Sequence, residues 1–305
     1  MTGTVVRSTG SWYDVLLDDG HRLSCKVKGN FRLRGIRSTN PVAVGDRVQV
    51  SDGFITEVME RRNCIVRRAS NLSKQSHVLA ANIDLALLVV TVARPETSPT
   101  FIDRFLACAE AYRIPAILVF NKVDALSPQE RRMQSELMAV YTHIGYEVMS
   151  ISALTGQGTD VLLEKLSGNI TLLAGNSGVG KSSLLNRFVP EANARTAAIS
   201  DTHHTGMHTT TSSEFFSLPK GGGLIDVPGI KGFGTYDIEP AEVAHYFKEI
   251  FKLSSACRFH NCTHTHEPGC AVLEALQAHR LAPSRYQSYL SMLGDKDDGK
   301  YRAAY

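Results

Sequence analysis

Gly175-Asn176-Ser177-Gly178-Val179-Gly180-Lys181-Ser182 spells GNSGVGKS, a complete G-x-x-x-x-G-K-[ST] pattern. The run Ile170–Ala174 before it reads as a buried strand and Ser183–Phe188 after it as a helix. That context separates a phosphate loop from a chance glycine-rich turn. Glycines let backbone N–H groups curl inward around phosphate oxygens, and the N-terminus of the following helix adds partial positive charge. Lys181 is expected to hold the β- and γ-phosphates and the Ser182 hydroxyl a magnesium ion, with Ser183 also among the nucleotide-binding residues.

A strand that feeds a phosphate loop belongs to a parallel sheet, and the chain upstream supplies its neighbours. Ile83–Val92 and Ile114–Phe120 are continuous apolar runs, as in strands covered on both faces. Phe101–Tyr112 between them is helical in pattern, and Ser127-Pro128-Gln129-Glu130 opens another helix with a capping box and a first-turn proline. Glu147–Ser152 and Val161–Leu166 continue the alternation, which predicts a doubly wound α/β core. Pro190–Thr211 then has no hydrophobic period, which marks it as functional or mobile. Two strands follow, Glu214–Leu218 and Gly223–Val227.

The first sixty or so residues have a different texture. Thr4–Arg7, Tyr13–Leu17, Arg22–Val27, Arg47–Ser51 and Phe54–Glu60 read as short strands, punctuated by the hairpin dipeptides Asp19-Gly20 and Asp52-Gly53. Five short antiparallel strands with no long helix predict a small OB-fold barrel, a pattern that an SH3-like barrel shares. Beyond Thr235 the chain turns helical around Ala241–Leu253, Ala271–Ala278 and Pro283–Leu293, before a polar end over Asp295–Tyr305.

Composition sets outer limits. With 305 residues, 43% hydrophobic and 21% charged, the chain is too long for one typical domain and too apolar to be disordered throughout. No apolar run reaches the roughly 18 residues that cross a bilayer, and Met1–Gly10 lacks a secretion signal's apolar core, so a cytoplasmic protein without membrane partners is expected. Residues 1–75 carry thirteen Lys/Arg against seven Asp/Glu, while the chain as a whole has a net charge of +3. A basic first quarter suggests a polyanionic partner, and an ordinary solvated surface accounts for the count as well.

Further motifs sit at strand ends. Asn121-Lys122-Val123-Asp124 follows the apolar run Ile114–Phe120, and Ser152-Ala153-Leu154 ends the next strand. In open α/β sheets, ligands bind at the carboxyl ends of strands. NKVD resembles the guanine-specificity motif of the GTPase superfamily, whose aspartate accepts from two adjacent donors on the guanine edge. SAL resembles the second guanine loop. Asp226-Val227-Pro228-Gly229 matches the DxxG that positions magnesium and senses the γ-phosphate. The usual GTPase order is P-loop, switch threonine, DxxG, NKxD, SAx. Here NKVD and SAL precede GNSGVGKS, then come Thr209-Thr210-Thr211 and DVPG, so the core reads as circularly permuted. The expected organisation is an OB-fold barrel over 1–68, a permuted P-loop GTPase core with a mostly parallel sheet over 69–235, and a helical zinc-binding module over 236–305.

Cys257, Cys262, His264 and Cys270 supply three thiolates and an imidazole within one short segment, a set suited to one tetrahedral, structural zinc. His260 and His266 are rival ligands by spacing.

A small barrel, a permuted core and a tail reading CRFHNCTHTHEPGC together resemble the RsgA (YjeQ/EngC) family, as does the stretch Gly206-Met207-His208-Thr209-Thr210-Thr211, where that family more often has arginine in place of Met207. The resemblance spans nearly the whole chain and is weakest over the barrel. It implies GTP hydrolysis to GDP in late maturation of the bacterial small ribosomal subunit, stimulated by that subunit and involving its rRNA. A monomer is expected. Thr210 is the expected second magnesium ligand, from the paired threonines of related GTPases, with Thr209 as the alternative. Ile230 stands where Ras-like enzymes carry a water-orienting glutamine, so slow hydrolysis by the isolated chain is expected. Of His203, His204 and His208, the last is the first choice for orienting water. Two other readings stand beside this one. A nucleotide-gated RNA-binding scaffold would need no turnover, and a P-loop small-molecule kinase would have no use for NKVD and SAL.

Overall fold

The computed structural model describes residues 1–27, 41–68, 76–192, 213–227 and 238–294. Its centre is a sheet in which β10 (Glu147–Ser150), β9 (Ala116–Phe120), β8 (Leu85–Val90), β11 (Ile170–Ala174) and β13 (Gly223–Asp226) lie side by side and parallel. β12 (Glu214–Ser217) pairs antiparallel with β13.

Alternation along β8 explains the layers. Ala86, Leu88 and Val90 pack with Ile102, Phe105 and Leu106 of α1 (Pro99–Ala111) and Tyr141 of α2 (Pro128–Ile144). Leu87 and Val89 face the other way, onto Leu162 and Leu166 of α3 (Thr159–Leu166) and Leu184, Leu185 and Phe188 of α4 (Lys181–Phe188). Both faces are therefore covered, which is why these strands read as unbroken apolar runs.

At the other end, β1 (Thr2–Thr9), β2 (Trp12–Leu17), β3 (Arg22–Val27), β5 (Phe54–Val58) and β4 (Arg47–Ser51) close into a barrel, β4 returning to β1. The expectation of antiparallel pairing throughout needs one correction: β3 and β5 run parallel, the Greek-key crossing of an OB-type barrel. Tyr13, Val15 and Leu17 point inward, with Val5, Cys25, Val48, Val50 and Ile55 completing the core. The barrel does not stand apart. Arg7 of β1 pairs with Glu214 of β12, so barrel and core share one continuous sheet. A hairpin of β6 (Cys64–Arg68) and β7 (Ser76–Ala81), absent from the sequence reading, leads from one to the other.

The C-terminal module packs on α1. The sequence predicts one helix over Ala241–Leu253, but the structure has a 3-10 helix, Pro240–Tyr246, and then α5 (Lys248–Ser254). The break falls at Phe247, whose extended backbone (φ −103°, ψ 97°) sends a fully buried ring against Tyr289, with ring centroids 5.7 Å apart. After α6 (Ala271–Gln277), α7 (Pro283–Leu293) carries a buried arginine. Arg285 donates to Asp103 of α1 (Nη1–Oδ1, 2.8 Å) and, through two nitrogens, to Glu249 (2.5 and 3.0 Å). Tyr141 also donates to the Asp103 carboxylate (2.8 Å), and Arg285 lies 4.6 Å from the centre of the Phe247 ring. Among the described residues no helix is long and apolar enough to cross a membrane.

Candidate nucleotide and metal sites

The GNSGVGKS loop leaves β11 at Gly175 and enters α4 after Gly180. Both glycines have positive φ (138° and 100°). A Cβ on Gly175 would lie 2.2 Å from the Val89 carbonyl oxygen, and one on Gly180 would lie 2.3 Å from the Asn121 amide nitrogen. Only glycine lets the loop seat this closely on its neighbours.

Asn121, 2% exposed, joins three loops. Its Nδ2 donates to the Val179 carbonyl (2.8 Å), while its Oδ1 accepts from the Ala153 amide (2.9 Å). Lys122, in left-handed backbone, donates from Nζ to the carbonyls of Gly178 (2.6 Å) and Arg94 (2.7 Å). Val123 is buried and Asp124 exposed on the 3-10 turn Val123–Ala125. Ser152 is buried, its Oγ accepting from the Thr155 amide (3.0 Å) and its carbonyl from Gly156 (2.8 Å), a tight loop that turns the Ala153 N–H toward Asn121. Leu154, 80% exposed, stands at the rim. Ser177, Gly178, Ser182 and Ser183 form an exposed lip, with Asn176 half-buried behind it.

Lys181 arches back over the loop, its Nζ donating to the carbonyls of Gly175 (2.7 Å) and Asn176 (2.8 Å). Burial lowers its pKa, opposed by the Asp226 charge. Asp226 ends β13 opposite Leu173 of β11, and burial raises its pKa, opposed by Lys181. Each group is thus desolvated and tempered by the charge of the other. Gly229, Ile230, His203, His204, His208, Thr209 and Thr210 lie outside the described residues. Within the first quarter Arg47 pairs with Asp18 and Arg61 with Asp46, acids already counted against it, and of these three arginines only Arg62 pairs beyond it, with Asp84.

One contributor escapes sequence reasoning. Arg94 has φ 53° and donates to both carboxylate oxygens of Glu130 (2.7 and 3.0 Å) and to the Ala125 carbonyl (2.7 Å), holding the turn that bears Asp124. Glu130 is also the capping-box residue of α2, accepting from the Ser127 amide (2.7 Å). Arg94 and then Ser127 bring its carboxyl pKa down to about 2. Only the capping box was visible beforehand.

The second cluster lies in the C-terminal module. Cys257, Cys262, His264 and Cys270 bring their ligand atoms within 4.8 Å of one another, and His264 and Cys270 are each 2% exposed. His264 Nδ1 is 3.6 Å from Cys257 Sγ and 3.4 Å from Cys270 Sγ, and the two sulfurs are 3.9 Å apart. Tetrahedral zinc at about 2.3 Å from sulfur and about 2.0 Å from nitrogen requires ligand separations of about 3.5–3.8 Å, so the donor set fits. Burial pushes the Cys262 thiol up to about 12, and a divalent cation is what makes such thiols ionise. His260 and His266 are exposed, and His266 Nδ1 instead lies 2.8 Å from the Thr265 hydroxyl. Left-handed backbone at His264, with Tyr286 and Tyr289 donating to the carbonyls of His264 and Thr263 (2.8 Å each), aims the inner imidazole.

Residues 58–236 match the RsgA GTPase family, and residues 2–54 match the RsgA N-terminal domain. The chain belongs to the RsgA GTPase family. It is 59% identical to the small ribosomal subunit biogenesis GTPase RsgA of Bacteroides fragilis over 310 residues, with both chains covered completely. The corresponding Porphyromonas gingivalis protein is 57% identical over 315 residues, again over the whole of both chains. Among solved structures, YjeQ from Thermotoga maritima superposes with a TM-score of 0.77 at 36% identity, covering 97% of this chain and 99% of that one. YloQ, described as a circularly permuted GTPase, gives a TM-score of 0.73 at 28% identity, covering 99% and 96%. An RsgA-family chain is a GTP-hydrolysing enzyme, and the strand order here is that of the permuted core.

Proposed function

We infer that the chain hydrolyses GTP to GDP and phosphate as a biogenesis factor of the small ribosomal subunit, in the cytoplasm, with rRNA as a contact. The observation that carries the nucleotide assignment is Asn121, whose one side chain ties the phosphate loop to both guanine loops. In this reading Asp124 accepts from the guanine edge and the Ala153 N–H belongs to the loop that meets the base. The backbone from Gly175 to Ser182 cradles the α- and β-phosphates. Lys181 then exchanges its loop carbonyls for β- and γ-phosphate oxygens, neutralising charge that grows on them as the bond breaks. Ser182, Thr210 and Asp226 are the residues assigned to magnesium, which when bound offsets phosphate charge. His208 is assigned to the attacking water. Cys257, Cys262, His264 and Cys270 are assigned to a structural zinc. The units remain those proposed from sequence: 1–68, 69–235 and 236–305.

Two measurements test this. In a competition titration the wild type should prefer GTP to ATP, and Asp124→Asn should lose about 2–4 kcal/mol of GTP binding, because buried donors on the base are left unpaired. Equal affinity for ATP and GTP would sink the guanine assignment. Multiple-turnover hydrolysis should rise on adding small subunits, and turnover that ignores them would favour the scaffold reading.

A further inference from the structure

Trp12, Lys26 and Phe54 form one row across three strands of the barrel. Trp12 is the β2 partner of Lys26 on β3, and Lys26 is the β3 partner of Phe54 on β5. Their sequence neighbours Tyr13, Cys25 and Ile55 fill the barrel core, so the pleat turns this row outward. Trp12 is 46% exposed and Phe54 42%, and the Lys26 ammonium lies 4.4 Å from the indole centroid.

Two large rings left in register on the outside of a small barrel are not needed for its closure. The other outward positions on these strands include Asp14, Ser24 and Thr56, and Ser24 donates to the Asp14 carboxylate. A partner protein of ordinary kind would seek a broad, contiguous apolar patch. What stands here is two flat rings on the strands either side of a lysine whose ammonium lies over one face of the indole and leaves the other for a ligand. Flat rings accept any base by its π-face, and the ammonium complements a phosphate. The face formed by the second and third strands is also where OB barrels meet oligonucleotides.

We propose that the Trp12–Lys26–Phe54 row is a stacking platform for an unpaired RNA base, with Lys26 taking the adjoining phosphate. The proposal rests on the reading that the barrel meets ribosomal RNA, and it narrows that reading to single-stranded nucleotides. A continuous duplex keeps its base faces stacked on one another and offers none to the row.

Trp12 is the only tryptophan of the chain, so its emission reports on the row directly. Full-length protein titrated with a mixed-sequence single-stranded RNA hexamer should show quenching of Trp12 emission, and a blunt duplex of the same length should quench far less. With end-labelled hexamer followed by anisotropy, Phe54→Ala and Trp12→Ala should each weaken binding about 5- to 100-fold, and Trp12→Phe should recover most of the loss. Lys26→Ala should reduce the salt dependence by about one counterion. No binding of the hexamer by the wild type, unchanged Trp12 emission at saturation, unchanged affinity in both alanine variants, or equal quenching by duplex would each overturn the platform. Subunit-stimulated GTP turnover, measured alongside, separates the two levels. Loss of stimulation in the wild type removes the functional reading itself, whereas normal stimulation with an inert row removes only the platform. If the alanine variants fail to co-sediment with small subunits while the wild type ignores the hexamer, the row docks on a protein and the proposal falls.

Discussion

The barrel and the C-terminal module are both small, yet they hold together by different means. In the barrel nine inward side chains from Val5 to Ile55 form the core, and each strand finds a partner on both sides. The module has helices of seven, seven and eleven residues, shorter than the roughly 12–15 that persist alone in water. Its interior combines Val243, Phe247, Ile250, Val272 and Tyr289 with a buried charge cluster and the Cys/His cluster that could hold a metal. A closed ring of strands is held by continuous pairing around one apolar core. The short helices add two polar clusters, one of charges and one of Cys and His, to an apolar core of comparable size.

That contrast is broken most directly at the metal. Chelation, or Cys262→Ser with Cys270→Ser, should unfold the module, since structural zinc contributes about 10–16 kcal/mol in small metal-folded peptides. Limited proteolysis should then clip the chain beyond residue 238 while GTP binding and the barrel persist. A tail that resists protease without metal would show that its apolar core suffices.

Next comes Arg285, 1% exposed beside Asp103 at 0%. Arg285→Met strands the Asp103 carboxylate in the interior and should cost about 3–5 kcal/mol in denaturant unfolding, most of it recovered by adding Asp103→Leu. In the barrel, Ile55→Ala should cost about 2–5 kcal/mol, with the metal content of the purified protein unchanged. If Ile55→Ala releases the metal, the two ends are one cooperative unit and the contrast fails.

The smallest effect is expected at Arg94. Arg94→Ala frees the turn bearing Asp124 and should reduce guanine-nucleotide affinity severalfold, well short of Asp124→Asn, without altering the kcat of bound GTP. The loss should be the same at pH 7.5 and pH 5.5. A depressed carboxylate contributes above its ordinary pKa of 4.5 and lets go only as pH falls through about 2, so Glu130 stays ionised at both. A kcat change in place of an affinity change would move Arg94 from the base to the phosphates.

These expectations differ in how early they were legible. GNSGVGKS, NKVD and SAL could be read because each is local, and parallel strands deliver their carboxyl ends to one edge. The set Cys257, Cys262, His264 and Cys270 could be chosen by spacing with His260 and His266 as rivals, and what the structure adds is that His264 is buried beside the thiols while the other two are exposed. Arg285 had a signal that went unused. With Ser288, Tyr289 and Met292 it occupies the i, i+3, i+4, i+7 stripe of α7, all of them buried, so its guanidinium had to be inside. Arg94 had none, since its partners Lys122, Ala125 and Glu130 lie 28 to 36 residues away. Charge counting over the first quarter keeps its excess, since of the paired arginines Arg47, Arg61 and Arg62 only the last reaches a carboxylate outside that stretch.

The contact between Arg7 and Glu214 also sets an order of events during synthesis. The barrel strands emerge first, whereas β12 follows only after β11 and the phosphate loop. At about 5–20 residues per second the wait is on the order of ten seconds or more. Through that interval the growing protein displays the part of β1 that its barrel partner β4 leaves uncovered, since β4 spans only Thr2–Thr4 of that strand. An exposed strand edge invites pairing with other chains. Here the edge is short and carries the Arg7 charge, so the nascent chain waits for its own β12 with little to offer a neighbour.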